Sequence, residues 1–219
     1  MSGFPRGAYP RDKIDFYTLI APFYDAFVGP FLRAARKDIT REAAAGGCRR
    51  VLEVACGTGE QARMFAKEGL AVTGVDLSGA MLGVAAARDR PPVSFVLGNA
   101  EKLPFEPESF DCVSVSLALH EMAYDSAIRV GLEMLRVLAP DGRLIVFDHA
   151  AGQNVRSALA VGVLGLLERV AGRAHFSNFI RFTRMGGVER FLESFPLKIV
   201  AGETYFLGAL KLVVARKDR

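Results

Sequence analysis

Cysteine is scarce in this 219-residue chain: Cys48, Cys56 and Cys112 only. An odd number with no paired spacing argues against a disulfide framework and against a zinc site, so no metal ligands are read from the sequence. A reducing, cytoplasmic setting fits. A large excess of one charge is lacking as well: 28 Lys and Arg against 24 Asp and Glu leave a formal net charge of only +4. With its arginines scattered, so mildly basic a chain is a poor candidate for nucleic-acid binding. Long apolar runs are missing. The most apolar, Ala158–Leu167, falls short of the ~20 residues of a spanning helix. Peripheral contact with a membrane surface stays open. Met1–Lys13 holds no apolar stretch of the signal-peptide kind. No internal repeat, low-complexity segment or clear linker is present. What is there, 51% hydrophobic and 24% charged, suits one large globular domain with a sizeable core.

Met1–Arg11 reads as a loose arm. Ile14, Tyr17, Tyr24 and Phe27 then recur at helical spacing, and Pro22 is expected to kink or divide that helix. A second helix is expected over Phe31–Ala45, entered at Pro30 and closed by Gly46 and Gly47. Residues 1–45 thus form a helical cap ahead of a main domain, 46–219. From Arg50 strands and helices alternate. Strands are expected at Val51–Ala55, Ala71–Asp76, Val93–Leu97, Asp111–Ser116 and Arg143–Asp148. Helices are expected at Gln61–Glu68, Gly79–Arg88 (capped by Ser78) and Ser126–Leu138. Pro140-Asp141-Gly142 is expected to be a turn. This alternation implies an α/β, doubly wound parallel sheet.

After Asp148 the pattern changes. Asn154–Val170 is helical and apolar nearly all round, either a core helix or the apolar wall of a substrate lid. Gly172–Arg184 mixes arginines with Phe176, Phe179 and Phe182, and a helix is expected over Val188–Phe195. A helical lid is therefore expected at about 150–187. Leu197–Ala201 and Phe206–Ala215 read as two strands separated by Gly-Glu-Thr-Tyr, hence an antiparallel pair.

Val51–Glu60, V-L-E-V-A-C-G-T-G-E, runs from strand through a tight loop toward a helix. Gly57 to Ala62 satisfies G-x-G-x-x-A, and Asp76 lies at the end of the second strand, where a carboxylate accepts from ribose hydroxyls. On these features alone a dinucleotide, and with it an NAD(P)-dependent oxidoreductase, stays open. Glu53, inside the first strand, would repel a pyrophosphate but suits a cationic ligand end.

V-L-E-V-A-C-G-T-G, V-T-G-V-D-L-S, G-N-A-E-K-L-P-F and L-A-P-D-G-R-L follow one another in order. With these motifs the chain resembles the class I S-adenosylmethionine-dependent methyltransferases, and most the small-molecule group that includes the menaquinone and ubiquinone C-methyltransferases. The resemblance spans Tyr17–Lys217 and is densest over Val51–Asp148. It implies a Rossmann-like sheet of seven strands in the order 3-2-1-4-5-7-6 with strand seven antiparallel. It implies S-adenosyl-L-methionine as cofactor, S-adenosyl-L-homocysteine as product and a small, apolar acceptor. Glu53 with the loop Ala55, Cys56, Gly57, Thr58 and Gly59 is then expected beside the methionine moiety. Asp76 is expected to take the ribose hydroxyls, Leu77 to pack on the adenine, and Asn99 and Ala100 to lie at the adenine edge. Ser116 and Leu117 are expected near the methyl group. Tyr17 and Tyr24, in a preface that folds over the site in this family, are expected to reach cofactor or substrate. Two departures stand out: Asn99 replaces the usual Asp, and Asp148–Gly187 lacks the segment that quinone-modifying members carry after strand five.

Methyl transfer needs donor and acceptor held in line, and a base only where the acceptor must lose a proton. His120, just past the fourth strand, is the candidate base. Asp148 and His149 also face the ligand edge, either as a loop pair or as substrate contacts. Cys56 reads as a small filler. A chain that binds the cofactor without catalysis stays open, as do the acceptor atom and the oligomeric state.

Overall fold

The computed structural model describes residues 16–88, 92–152, 154–170 and 172–218; the side chains of residues 16–24, 27, 28, 167 and 170 also fall outside that description. The strands are β1 (Arg50–Val54), β2 (Ala71–Asp76), β3 (Ser94–Leu97), β4 (Phe110–Ser116), β5 (Leu138–His149), β6 (Leu197–Tyr205) and β7 (Leu210–Lys217). They form one sheet, β3-β2-β1-β4-β5-β7-β6. β1 to β5 are parallel, and β7 runs antiparallel between β5 and β6. The sheet order expected from the resemblance is thus observed.

Near-continuous apolar strands make this sheet because both of its faces are covered. In β1, Val51, Leu52 and Val54 are all fully buried. Leu52 and Val54 point to the face covered by α4 (Tyr124–Val137) and α7 (Gly187–Glu193). Val51 points to the other face, against Phe65 of α2 (Glu60–Lys67) and Ile39 of α1 (Phe16–Ala45). Burying each such side chain contributes roughly 1.5–3 kcal/mol. Because five strands run the same way, their carboxyl ends share one rim. Glu53 stands beside Gly74 of β2 and Ser114 of β4 near that rim.

The N-terminal region departs from expectation. α1 is a single helix of 30 residues through Pro22 and Pro30, where two helices were expected. A proline in a helix costs about 3 kcal/mol. Leu32, Ala35, Ile39 and Ala43 bury one stripe of α1 against the sheet, which offsets that cost. Polar ties reinforce it: Tyr205 donates to Asp38 at 2.7 Å and Arg143 to the Glu42 carbonyl at 3.1 Å.

Two expected turns move. Pro140–Gly142 lies within a bulged β5, because Phe110 pairs with Leu138 while Cys112 pairs with Arg143. The Gly-Glu-Thr-Tyr segment belongs to β6, with Tyr205 paired to Leu210. The reversal falls instead at Phe206–Gly208, where Leu207 adopts φ 58°. The long apolar helix is α5 (Val155–Val170), followed by α6 (Arg173–Arg184). It is not a core helix: Val155, Leu159, Val163 and Leu166 are 58–77% exposed along one side. Among the described residues no helix is long and apolar enough to cross a membrane.

Gly187 anchors the return from α6 to the sheet. It bridges Ala150 with φ +62°, and a Cβ there would lie 2.6 Å from the His149 carbonyl oxygen. Gly187→Ala should therefore destabilise the fold by roughly 2–3 kcal/mol through strain and backbone displacement. Denaturant unfolding checks this; an unchanged midpoint would contradict it.

Candidate active site

The two central strands end alike. Ala55 after β1 and Leu117 after β4 both turn with positive φ, 53° and 51°. For residues with a Cβ that conformation costs about 1–2 kcal/mol each and collects at ligand sites. Gly57 and Gly59 continue the first turn with φ 54° and 71°. The Gly57 N–H donates to Asp76 Oδ2 at 2.7 Å, and the Ser78 N–H to Asp76 Oδ1 at 2.7 Å. Asp76 therefore braces the glycine loop as well as facing the rim. Burial raises its carboxyl above the ordinary range, and these amides oppose that rise. Cys56 packs its sulfur over Gly74, where a Cβ would come within 2.8 Å of it. All three cysteines are free and buried.

A cavity of about 420 Å³ opens at this rim. Eleven of the residues expected at the cofactor line it: Glu53, Ala55, Cys56, Gly57, Thr58, Asp76, Leu77, Asn99, Ala100, Ser116 and Leu117. Gly59 does not. A Cβ at Gly59 would lie 2.6 Å from the Phe95 ring, so its role is close packing of α2 on β3. The side chains of Tyr17 and Tyr24 lie outside the described residues. Asn99 accepts from the Glu101 N–H at 2.9 Å, so one of its oxygen's lone pairs already serves its own loop.

Glu53 is only 3% exposed, and its Oε2 has no hydrogen-bond partner. Burial pushes its carboxyl from 4.5 to about 8, although Arg36 and Arg63 pull the other way. Ser116 Oγ is a second buried polar atom of the cavity without a partner. Polar atoms so placed are costly unless a ligand meets them.

α1 supplies a wall that reading the sequence missed. Leu32, Arg36 and Ile39 line the cavity. Asp25 accepts from Thr58 Oγ1 at 2.8 Å and pairs with Arg88 at 2.8 Å, tying α1 to the glycine loop. Gln61 donates to Thr40 Oγ1 at 2.9 Å. The signal for Arg36 was its place between Leu32 and Ile39 on one helical face.

His120 lies in the short 3-10 turn Leu119–Glu121 after β4, 2% exposed and outside the cavity lining, although Ala118 and Glu121 beside it do line it. Its Nδ1 meets Asp148 Oδ1 at 2.6 Å. Asp148, fully buried, also accepts from the Leu119 N–H at 2.9 Å and the His149 N–H at 2.7 Å. Burial alone would raise the Asp148 carboxyl; His120 and those amides turn the balance and hold it low. Burial likewise opposes a charge on His120, yet Asp148 and Glu168 hold its imidazolium form well above the ordinary range. Burial and the neighbouring His120 push His149 down to about 3, so it is neutral. The two imidazoles stack edge-on with centroids 4.4 Å apart.

A methyltransferase-domain family model matches residues 52–146. A demethylmenaquinone methyltransferase of Renibacterium salmoninarum is 35% identical over 172 residues, which span 75% of this chain and 71% of that one. A ubiquinone/menaquinone biosynthesis C-methyltransferase of Pseudomonas fluorescens is 40% identical over 117 residues, 48% of this chain and 43% of its own length. Among solved structures, an N-methyltransferase of Bradyrhizobium japonicum in complex with S-adenosylhomocysteine matches with a TM-score of 0.59 at 17% identity. The match covers 87% of this chain and 89% of that one.

The buried Glu53 sets a pH dependence of stability. Its folded pKa is raised, so its contribution is fully present below about pH 4.5 and is lost as pH rises through about 8. Glu53→Gln should remove that loss and make the ligand-free protein roughly 1–4 kcal/mol more stable than wild type at pH 8.5. Unfolding curves at pH 5 and 8.5 check this; equal pH slopes for the two proteins would refute it.

Proposed function

This chain belongs to the class I S-adenosylmethionine-dependent methyltransferases that act on small molecules, and from that premise we propose that the cavity beside the glycine loop holds the cofactor. When bound, S-adenosylmethionine supplies an electrophilic methyl group on a sulfonium sulfur.

The observation that carries the proposal is the orphan oxygen of Glu53, buried at a cavity that also bears Asp76. Two carboxylates there favour a ligand with an ammonium and a sulfonium and oppose a pyrophosphate. That weighs against the dinucleotide reading and its oxidoreductase. Glu53 takes the α-ammonium. Arg36, which lines the cavity from α1, takes the α-carboxylate. Ala55, Cys56, Gly57 and Thr58 wrap the methionine moiety, and Gly59 shapes the loop from behind. Asp76 keeps two amides and offers its remaining lone pairs to the ribose hydroxyls. Leu77 packs on the adenine, with Asn99 and Ala100 at its edge. Ser116 and Leu117 flank the methyl end. Tyr17 and Tyr24 stay proposed as contacts from the helical cap of residues 1–45, and α5 with α6 as the lid at about 150–187.

The chemistry asks the protein to hold an acceptor in line and exclude water. Met122, Val130 and Phe147 make that part of the cavity wall apolar, which suits an apolar acceptor. The named activities of the relatives make a quinol headgroup the first acceptor to assay. The unmatched segment after β5 makes other apolar acceptors the second. Where the acceptor carries a proton to lose, His120 is the proposed receiver, Asp148 fixing its Nδ1; to act so it must first give up the proton that Asp148 and Glu168 stabilise on it.

Calorimetric titration with S-adenosylhomocysteine tests the reading. Wild type should bind at sub-millimolar levels or tighter. Glu53→Gln should lose about 1.5–3 kcal/mol of affinity, the worth of a hydrogen bond to a charged group, and Asp76→Ala about 1–3 kcal/mol. Absence of binding by wild type at sub-millimolar concentration would sink the proposal. Unchanged affinity in Glu53→Gln would remove Glu53 from it.

A further inference from the structure

The His120 cluster contains more than a base needs. His120 Nε2 faces Glu168 Oε1 of α5 at 3.6 Å, a separation too long for a hydrogen bond. His149, 2% exposed, carries a buried Nδ1 with no partner. One ligand atom from each of His120, His149 and Glu168 lies within 4.8 Å of the others. Two donors bound to one ion at about 2.0–2.2 Å sit about 3–3.4 Å apart, so the His120–Glu168 gap is close to that of a shared ion. Phe179 packs edge-on against both imidazoles, with centroids 6.1 and 4.7 Å away, and fixes their planes.

The second layer fits as well. Asp148 accepts from His120 Nδ1 at 2.6 Å. An imidazole that donates one nitrogen to a carboxylate presents the other to a metal in a fixed orientation. Asp148 is itself satisfied by two backbone amides, so it has no need to join as a ligand.

We propose that His120, His149 and Glu168 bind one divalent transition-metal ion, which clamps the lid helix α5 onto the ends of β4 and β5. Two imidazoles with one carboxylate suit Zn²⁺, Co²⁺ or Fe²⁺, and three protein ligands leave a position open for water or another oxygen ligand. The donors come from three separate segments, the turn after β4, the end of β5 and the last turns of α5, so no spacing motif announces them. That the clamp stands beside a methyl-transfer cavity rests on the reading above; the donor set does not, and an ion on His120 Nε2 would replace the base role proposed for that nitrogen.

The test uses the full-length chain, stripped of metal by chelator and dialysis, and titrated with Co²⁺ and then Zn²⁺. One equivalent of Co²⁺ should bind with visible d–d absorption, and Zn²⁺ should displace it. Hydrogen exchange over Val155–Val170 should slow on Zn²⁺ addition. E168Q should weaken Zn²⁺ binding by at least about tenfold, and H149N likewise. S-adenosylhomocysteine titration of the same E168Q sample verifies that the variant is folded, and in wild type it scores the cofactor reading separately. If H149N does not fold, E168Q and wild type decide. Lack of a stoichiometric site in wild type, or E168Q binding Zn²⁺ as tightly as wild type, would overturn the metal site.

Discussion

Carboxylates at the carboxyl rim of a parallel sheet, Glu53 and Asp148 buried and Asp76 half-buried, are the constraint on which the ligand side of this molecule depends. Asp148 at the end of β5 accepts from His120 and two backbone amides, and so holds the turn after β4 in place. Asp76 at the end of β2 accepts from Gly57 and Ser78, and so braces the glycine loop after β1. Glu53, inside β1, keeps one oxygen without a partner. The first two acids are satisfied from within the chain and shape the rim. The third is left costly, and in the proposed reading a cationic ligand recovers that cost. A fold thus gives up some stability in the free state for selectivity in the bound one.

The same rim explains why backbone strain gathers there. Ala55 and Leu117 hold left-handed dihedrals at the ends of adjacent strands. Their conformations turn the chain sharply away from the sheet and let both loops face one cavity. α1 then closes that cavity from the side, through Leu32, Arg36 and Ile39. Its attachment is polar at the glycine loop, through Asp25 and Thr58, and apolar along the sheet. On the far side, α5 leaves an exposed apolar stripe while its Glu168 turns inward to the two histidines.

Much of this was legible from local pattern. The strand–loop–helix at Val51–Glu60, the acid at Asp76 and the order of the strands are written in short, contiguous runs. What local pattern could not convey depends on packing between distant segments. Pro22 and Pro30 argue locally for two helices, yet burial of the Leu32, Ala35 and Ile39 stripe carries α1 through both. Gly202 to Tyr205 look like a turn, yet pairing with β7 extends β6 through them. Arg36 reads as one arginine among many until α1 lies across the rim. His120 stood out by its position after β4, but its partners come from β5 and α5, and only the fold brings them together.

The most direct measurement of the central idea, that a protonated, buried Glu53 is ionised by a cationic cofactor, is the proton balance of binding. S-adenosylhomocysteine would be titrated calorimetrically at pH 7 in buffers of differing ionisation enthalpy. With the Glu53 carboxyl near 8 in the free protein, binding should release close to one proton per ligand, and Glu53→Gln should abolish that release. A binding heat independent of buffer in the wild-type protein would contradict the idea.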